Sequence, residues 1–107
     1  MAVSLQKLVL GNALGNSQRH QLQDWLKHCK TGDYRIRGGV PHDLSVADKT
    51  GTGDYGSIGD VGIIWRTHGA PVVLVVYVRQ DKKNTHTPDK VIAEATKIVI
   101  NAMSTLP

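Results

Sequence analysis

A short segment, Lys49-Thr50-Gly51-Thr52, places an ammonium group, a hydroxyl and a side-chain-free stretch of backbone in a row. If its strand lies at the edge of a sheet, the outward backbone groups stay free to pair with a ligand alongside. Lys49 would then bind a carboxylate, Thr50 would donate a hydrogen bond, and the N–H of Thr52 would donate to a developing oxyanion. Gly51 would let the ligand approach the backbone. The segment suits a ligand with a carboxylate and a carbonyl, although on the tripeptide alone an ordinary surface strand is the more frequent case.

The elements that must position this segment form a predicted antiparallel meander of three strands, over residues 44–52, 59–66 and 72–79. Their connections are short and rich in turn residues, which favours hairpins over crossovers. Apolar periodicity and capping residues predict three helices, over residues 4–14, 17–29 and 88–103. The predicted fold class is therefore α/β of the α+β type, with helices before the meander and a long C-terminal helix after it. Residues 1–107 would form one portion of a single domain.

The second helix is predicted to start with Ser17 as its N-cap. It should bury one face whose residues follow the spacing i, i+3, i+4 and i+7, namely Leu22, Trp25, Leu26 and Cys29. Cys29 is the only cysteine, so the chain can form no internal disulfide. Its place on an apolar helix face favours core packing over a role as a nucleophile.

The third strand, residues 72–78, is apolar throughout and does not alternate between apolar and polar residues. Such a strand is typically buried on both faces of its sheet. The C-terminal helix can cover one face, and the other helices can cover the second face only in part. The sequence therefore predicts that this strand packs against polypeptide that the chain does not contain.

Composition limits the classes of partner. The formal charge is +4, but the lysines and arginines are scattered and are not interleaved with aromatic residues, so a nucleic-acid surface is not expected. The five histidines follow no metal-ligand spacing, and neither a metal nor a cofactor is predicted. The longest apolar run has the length of a strand, and no signal peptide is visible, so no membrane association is expected from this chain.

Several motifs carry a close resemblance to class A serine β-lactamases in their order and spacing. They include Arg-Ile-Arg-Gly-Gly-Val-Pro at 35–41, Val-Ala-Asp-Lys-Thr-Gly at 46–51, Tyr-Gly at 55–56, Asp-Val-Gly-Ile-Ile-Trp at 60–65 and Ala-Pro-Val-Val-Leu at 70–74. Trp-Leu-Lys at 25–27 and Thr-Gly-Asp at 31–33 also fit. The resemblance covers nearly the whole chain, and it implies the lactamase fold, a β-lactam substrate and a periplasmic or secreted location.

The resemblance also implies roles for the Lys-Thr-Gly strand. Lys49 would bind the substrate carboxylate and tune the catalytic serine network, and Thr50 would donate a hydrogen bond to the carboxylate. The backbone N–H of Thr52 would form half of the oxyanion hole. Because Ile58 occupies the alternative position on the next strand, Arg35 would be the supporting cation.

The turn after this strand is similar to one particular subset of the family. Thr52, Gly53 and Asp54 resemble the subset that accepts oxyimino-cephalosporins, so Gly53 and Asp54 are further candidate substrate-binding residues.

Other parts of the family's catalytic machinery have no counterpart in this sequence. The family needs Ser-x-x-Lys, Ser-Asp-Asn and a glutamate on a long loop, all upstream of this region. Ser4 and Lys7 fit the first by letter, but they are expected to be a helix cap and a surface lysine. No Ser-x-Asn occurs, and Glu94, the only glutamate, belongs to the last helix. We expect a C-terminal portion that is inactive alone and works with the N-terminal portion of the same enzyme.

Two other functions stay open at this level. One is a fragment of a penicillin-binding D,D-peptidase, which shares the Lys-Thr-Gly strand but deacylates slowly. The other is a non-catalytic fragment whose meander and C-terminal helix only complement a partner. The arginine-rich turn at residues 35–41 and the Tyr55-Gly56 hairpin favour the lactamase over the peptidase.

Overall fold

The computed structural model describes residues 1–103. These residues form three α-helices and a three-stranded antiparallel sheet, an α+β arrangement that confirms the predicted fold class. In chain order the elements are α1 (Ala2–Val9), α2 (Asn16–Lys27), β1 (Ser45–Thr52), β2 (Ile58–Trp65), β3 (Val72–Val78) and α3 (Lys90–Met103). Between α2 and β1 lie two short 3₁₀ turns, Lys30–Gly32 and Arg37–Gly39.

The strands follow one another in the order β1-β2-β3, so β1 and β3 are the two edges of the sheet within residues 1–103. The hairpin between β1 and β2 is tight because Tyr55 and Gly56 both have a positive φ, at 63° and 61°. The chain beyond β3 fastens this hairpin: Gln80 donates its backbone N–H to the Tyr55 carbonyl, and Thr87 donates its hydroxyl to the Gly56 carbonyl. The end of the sheet near the Lys-Thr-Gly strand is therefore held from two sides.

The main core lies on the sheet face that packs toward α3. Its buried members are Ile36, Val40, Val46, Ile58, Ile64, Val72 and Ile92. Each isoleucine buried in this way stabilises the fold by roughly 1.5–3 kcal/mol. The turn that contains Gly39 approaches α3 so closely that a Cβ on Gly39 would lie 2.2 Å from the carbonyl oxygen of Ala93. The arginine-rich turn is thus seated directly on α3.

The first helix is displaced from its predicted bounds. It spans Ala2–Val9 rather than residues 4–14, so Ser4 lies inside the helix and does not cap it. The helix ends early because the N–H groups of Leu10 and Gly11 both donate to the Gln6 carbonyl, which closes the last turn. A Cβ on Gly11 would lie 2.9 Å from the Lys7 carbonyl oxygen, so only glycine fits this ending without adjustment.

The prediction of a buried face on α2 is wrong for the structure as described. No residue of α2 is fully buried, and Trp25 is 63% exposed. Gly15 rather than Ser17 occupies the N-cap position, and Cys29 lies beyond the end of the helix. The apolar spacing marks which side of a helix can be buried, but the contacts of α2 with β1 and α1 within the described residues leave every residue of α2 at least partly exposed.

The remaining boundaries differ from the predictions by one or two residues. β1 begins at Ser45 and not at 44, β2 is shifted by one residue toward the start of the chain, and β3 ends at Val78. The helix predicted from residue 88 begins at Lys90, because Pro88 and Asp89 form a turn whose carbonyls accept the first N–H groups of α3.

The third strand is less buried than its sequence predicts. Val72 is buried, the valines and leucine that follow are half-buried, and Tyr77 is 66% exposed. α1 and α3 both contact β3 within the described residues, but neither covers it completely. That further polypeptide covers this strand stays a prediction.

Candidate active site

Lys49 and Thr50 point to opposite faces of β1, because side chains alternate along a strand. Lys49 is exposed, and its ammonium group bends back to donate to the carbonyl oxygen of Thr50 at 2.7 Å. The charge therefore lies at the edge of the sheet and not over its centre. A ligand that runs along this edge can reach both the ammonium group and the backbone of the strand.

The hydroxyl of Thr50 has a partner that the sequence analysis missed. Thr31, in the first 3₁₀ turn, places its Oγ1 atom 2.6 Å from the Oγ1 atom of Thr50. Thr31 Oγ1 also lies 3.4 Å from the Sγ atom of Cys29. In a pair of hydroxyls one proton is used between the two oxygens, and the second can be donated to a ligand. The two threonines are 19 positions apart, and no sequence pattern predicts their contact, since it depends on how the turn folds back over β1.

Arg35 is buried, with 6% of its surface exposed, and it lies beneath the end of β1. It uses four of its five N–H donors within the protein. The acceptors are the carbonyl oxygens of Gly51 at 2.9 Å and Gly59 at 2.8 Å, the hydroxyl of Thr52 at 2.8 Å, and a carboxylate oxygen of Asp89 at 3.0 Å. The structure thus brings Arg35 to the predicted strand as a support for Gly51 and Thr52. Direct contact of Arg35 with a ligand stays a prediction.

The backbone beyond Thr50 is open to approach. Among the described residues, no atom outside Gly51 and its two chain neighbours lies within 4 Å of the position that a Cβ on Gly51 would occupy. Thr52 is exposed, and its hydroxyl is fixed from below by Arg35. Gly53 and Asp54 lie past the end of the strand, where the Gly53 N–H donates to the Ser57 carbonyl, and the Asp54 carbonyl accepts from the Ser57 N–H. These two residues shape the hairpin beside the strand.

Two shallow cavities meet over the glycines of this edge. One, of about 320 Å³, is lined mostly by the ends of the three strands, and the other, of about 190 Å³, includes Met1 and Lys49. Gly51, Gly59 and Tyr77 line both. Gly51 pairs with Gly59 across the strands, and a Cβ on Gly59 would lie 2.6 Å from the ring of Tyr77. Tyr77 therefore rests on Gly59 and forms the aromatic border of the open backbone, a contribution that the sequence analysis did not identify.

Two carboxylates are buried under the strand. Asp48, next to Lys49, is fully buried and accepts from Arg37 at 2.9 Å. Asp60, opposite Thr50 on β2, is also fully buried and accepts from the N–H of Ile36 at 3.1 Å. Burial, followed by the hydrogen bond with Asp48 and the charge of Asp48, raises the pKa of Asp60 to about 8.

Among residues 1–103, no group of three or more histidine, cysteine, aspartate or glutamate side chains is arranged to hold a metal ion. None of the helices in the same residues combines the length and the apolar character that a bilayer crossing requires.

Comparison with known proteins shows which family the chain resembles. The model of the "Beta-lactamase enzyme family" matches residues 1–103. A β-lactamase of Proteus vulgaris is 48% identical over 107 residues, which is 100% of this chain and 36% of the relative. The chain therefore belongs to the β-lactamase enzyme family.

Other β-lactamases match to the same degree. β-Lactamase OXY-1 of Klebsiella oxytoca is 48% identical over 96% of this chain and 35% of its own length. The carbapenem-hydrolyzing β-lactamase KPC of Klebsiella oxytoca is 48% identical over 94% of this chain and 34% of its own length. The chain spans about a third of the length of the curated relatives that it matches.

Within this β-lactamase-family chain, the predicted site residues are not equally close to one another. Lys49, Thr50, Gly51 and Thr52 lie consecutively along β1, and Arg35 reaches the last two from below. Gly53 and Asp54 are displaced onto the hairpin. The arrangement offers a cation, a hydroxyl pair and open backbone to one ligand.

Proposed function

We propose that the chain is the C-terminal portion of a class A serine β-lactamase and supplies the substrate-binding wall of its active site. The observation that carries the proposal is the strand end itself, in which Arg35 fixes Thr52 and the backbone at Gly51 is open. Membership of the β-lactamase family supports the substrate class, a β-lactam antibiotic.

In this proposal each residue of the strand contacts a different part of the β-lactam. Lys49 attracts the substrate carboxylate, and Thr50, with Thr31 behind it, donates a hydrogen bond to the carboxylate. The N–H of Thr52 donates to the lactam carbonyl oxygen as it becomes an oxyanion. Gly51 allows the substrate to lie against the strand, and the hairpin with Gly53 and Asp54 borders the side chains of oxyimino-cephalosporins.

The covalent steps belong to the N-terminal portion of the same enzyme. Its serine oxygen attacks the lactam carbonyl, the lactam C–N bond breaks with proton transfer to the nitrogen, and water then hydrolyses the acyl-enzyme. This chain alone would not hydrolyse the substrate, since it supplies neither the nucleophile nor the general base. The complete enzyme would act in the periplasm or outside the cell.

The test is reconstitution of hydrolysis. The chain is mixed with, or genetically joined to, the N-terminal two-thirds of the Proteus vulgaris relative, and hydrolysis of a chromogenic cephalosporin is followed. We expect activity that neither part has alone and that falls by at least about 100-fold in Lys49→Ala, in line with the loss of one strong electrostatic contact. Lys83→Ala, an exposed lysine in the loop after β3, is the matched control and should retain activity.

Two results would contradict the proposal. A joined protein that folds and binds a fluorescent penicillin without turning over cephalosporin would favour the D,D-peptidase alternative, which acylates and deacylates slowly. A joined protein that folds but neither binds nor hydrolyses a β-lactam would favour the non-catalytic complementing fragment.

A further inference from the structure

Two carboxylates lie side by side on the face of the sheet that packs toward α3. Asp60 pairs with Thr50 and Asp48 pairs with Gly62, so the two aspartates are diagonal neighbours on adjacent strands. Both are 0% exposed. Asp48 Oδ1 accepts from Arg37, and Asp60 Oδ2 accepts from the Ile36 N–H. Their second oxygens, Asp48 Oδ2 and Asp60 Oδ1, are the buried side-chain oxygens without a donor in the described structure.

One proton shared between Asp48 Oδ2 and Asp60 Oδ1 would give both oxygens a hydrogen-bond partner. Two ionised carboxylates in contact and out of water repel each other, whereas a protonated carboxyl donates to an ionised one in a strong O–H···O⁻ hydrogen bond. Asp48 is the better place for the negative charge, because Arg37 forms an ion pair with it at 2.9 Å. Burial and the neighbouring Asp48 raise the pKa of Asp60, which identifies Asp60 as the carboxyl that keeps the proton.

The other charges around the pair leave this assignment unchanged. Arg35, which lowers the pKa of Asp60, is engaged by Asp89 ahead of α3. The residues that α3 buries are Ile92, Ala93 and Thr96, none of which carries a charge. Val76, the partner of Asp60 on β3, is apolar. Met1 and Lys49 line the cavity on the edge of the sheet, and the Lys49 ammonium group donates to the Thr50 carbonyl.

We infer that Asp60 is a positioning residue of the proposed site: it holds a proton at neutral pH and donates it to Asp48, which locks the arginine-rich turn onto β1. The turn is attached at two points, through the Ile36 N–H to Asp60 and through Arg37 to Asp48. Arg35 directly precedes these two residues in the chain, and it supports Gly51 and Thr52. The role as a site-positioning residue rests on the proposed function, whereas the shared proton does not.

The turn and the two carboxylates are packed so closely that neither can shift without disturbing the other. A Cβ on Gly32 would lie 1.8 Å from Asp48 Oδ2, so the first 3₁₀ turn sits against the carboxylate with no room for a side chain. When Asp60 loses its proton, two negative charges face each other in this confined space. This repulsion would push the strands and the turn apart, and the hydroxyl of Thr50, which meets Thr31 from the same turn, would move with them.

The sign of the pH dependence follows from the direction of the shift. The ordinary pKa of the carboxyl is 3.8 and the folded value is about 8, so between these values the folded chain binds more protons than the unfolded chain. This group therefore makes the free energy of unfolding decrease as the pH rises from about 4 to about 8, and adds no further decrease above that range. In Asp60→Asn the side-chain amide can donate to Asp48 at every pH, and its oxygen can accept from Ile36, so this part of the pH dependence should disappear.

The decisive experiment is an NMR titration of the 107-residue chain, which follows the side-chain carboxyl carbon of Asp60 and the backbone amides of Lys49 to Thr52. We expect Asp60 to be protonated at pH 7 and to titrate with a midpoint near 8, with the amides of Thr50 and Thr52 shifting at the same midpoint. In Asp60→Asn the shift of these amides near pH 8 should be absent. Asp81→Asn, in the exposed loop after β3, should keep it, and Met1 is unchanged in both variants.

The NMR titration uses no β-lactam, so it tests the shared proton whether or not the proposed function is correct. An Asp60 carboxyl that is already ionised at pH 7 overturns the inference, and this result needs only the unmutated chain. Amides of Thr50 and Thr52 that do not follow the Asp60 titration overturn the positioning role. Amides that still shift near pH 8 in Asp60→Asn assign the titration to another group and also overturn the positioning role.

Discussion

The two edges of the sheet are built in opposite ways. At the β1 edge, polar side chains fix the backbone from below: Arg35 donates to Gly51 and Thr52, and the turn behind them is fastened to buried carboxylates. The β3 edge is a run of apolar residues that α1 and α3 cover only in part. The difference shows that the chain fixes its candidate substrate wall with its own residues, while the stability of its other edge depends on how much apolar surface is covered.

The largest expected change in stability comes from a substitution that removes the polar support of the β1 edge. Arg35→Ala should lower the free energy of unfolding by about 3 kcal/mol, because two carbonyls and a hydroxyl lose a buried charged donor. Chemical denaturation with urea measures the change. Arg66→Ala is the control: within residues 1–103, Arg66 donates only to the Ala70 carbonyl in an exposed turn, and its loss should cost less than about 1 kcal/mol. Equal losses in the two variants would mean that Arg35 does not hold the edge.

A pair of valine substitutions compares the two edges directly. Val46→Ala on β1 removes a side chain that is 5% exposed and should cost about 2 kcal/mol in the isolated chain. Val75→Ala on β3 removes a half-buried side chain and should cost about 1 kcal/mol. In a joined protein that contains the N-terminal portion, the cost at Val75 should approach that at Val46. If Val75→Ala already costs as much as Val46→Ala in the isolated chain, the β3 edge needs no further cover.

Alanine substitutions at Gly51 and Gly59, which pair across β1 and β2, compare a position that is open to a ligand with one that is packed against a side chain. Gly59→Ala forces the ring of Tyr77 away and should cost about 1–3 kcal/mol, as is typical of overpacking. Gly51→Ala meets empty space, so the melting temperature should barely change, with a stability change below about 1 kcal/mol. In the reconstituted enzyme, however, Gly51→Ala should reduce cephalosporin hydrolysis, because the methyl group occupies the approach to the backbone. Full hydrolysis in Gly51→Ala would show that the substrate does not lie on this strand.

The smallest expected effect concerns the second hydroxyl. Thr31→Val removes the partner of Thr50 Oγ1 and should raise the KM of the reconstituted enzyme about fivefold, which corresponds to roughly 1 kcal/mol for one hydrogen bond. Thr67→Val, in the exposed turn between β2 and β3, is the control and should leave KM unchanged. A fall in kcat without a change in KM would assign Thr31 a role other than substrate binding.

The sequence contains enough local information to predict the fold class and the strand that carries Lys49. Turn residues separate three apolar runs, and the periodicity that includes Ile92 predicts a helix, so the meander and α3 follow from local rules. The resemblance to β-lactamases, which the comparisons confirm, predicted the family. Trp25 shows the limit of this approach, since spacing marks an apolar helix face but does not show whether another element covers it.

The parts of the site that escaped prediction depend on contacts between distant segments. Thr31 meets Thr50 only because a 3₁₀ turn folds over β1. Asp48 and Asp60 become neighbours only through the register of two strands, and Tyr77 reaches Gly59 from β3. A one-residue change of register would point each of these side chains to the other face, so no local pattern specifies them.

The fastening of the β1–β2 hairpin has a consequence for protein engineering. Because the Thr87 hydroxyl and the Gln80 N–H bind consecutive carbonyls of the turn, an inserted peptide tag at residues 53–57 would detach the hairpin from the start of α3. The exposed stretch at residues 81–84 carries no such bond from the hairpin and is the better position for a tag, a cleavage sequence or a reporter label.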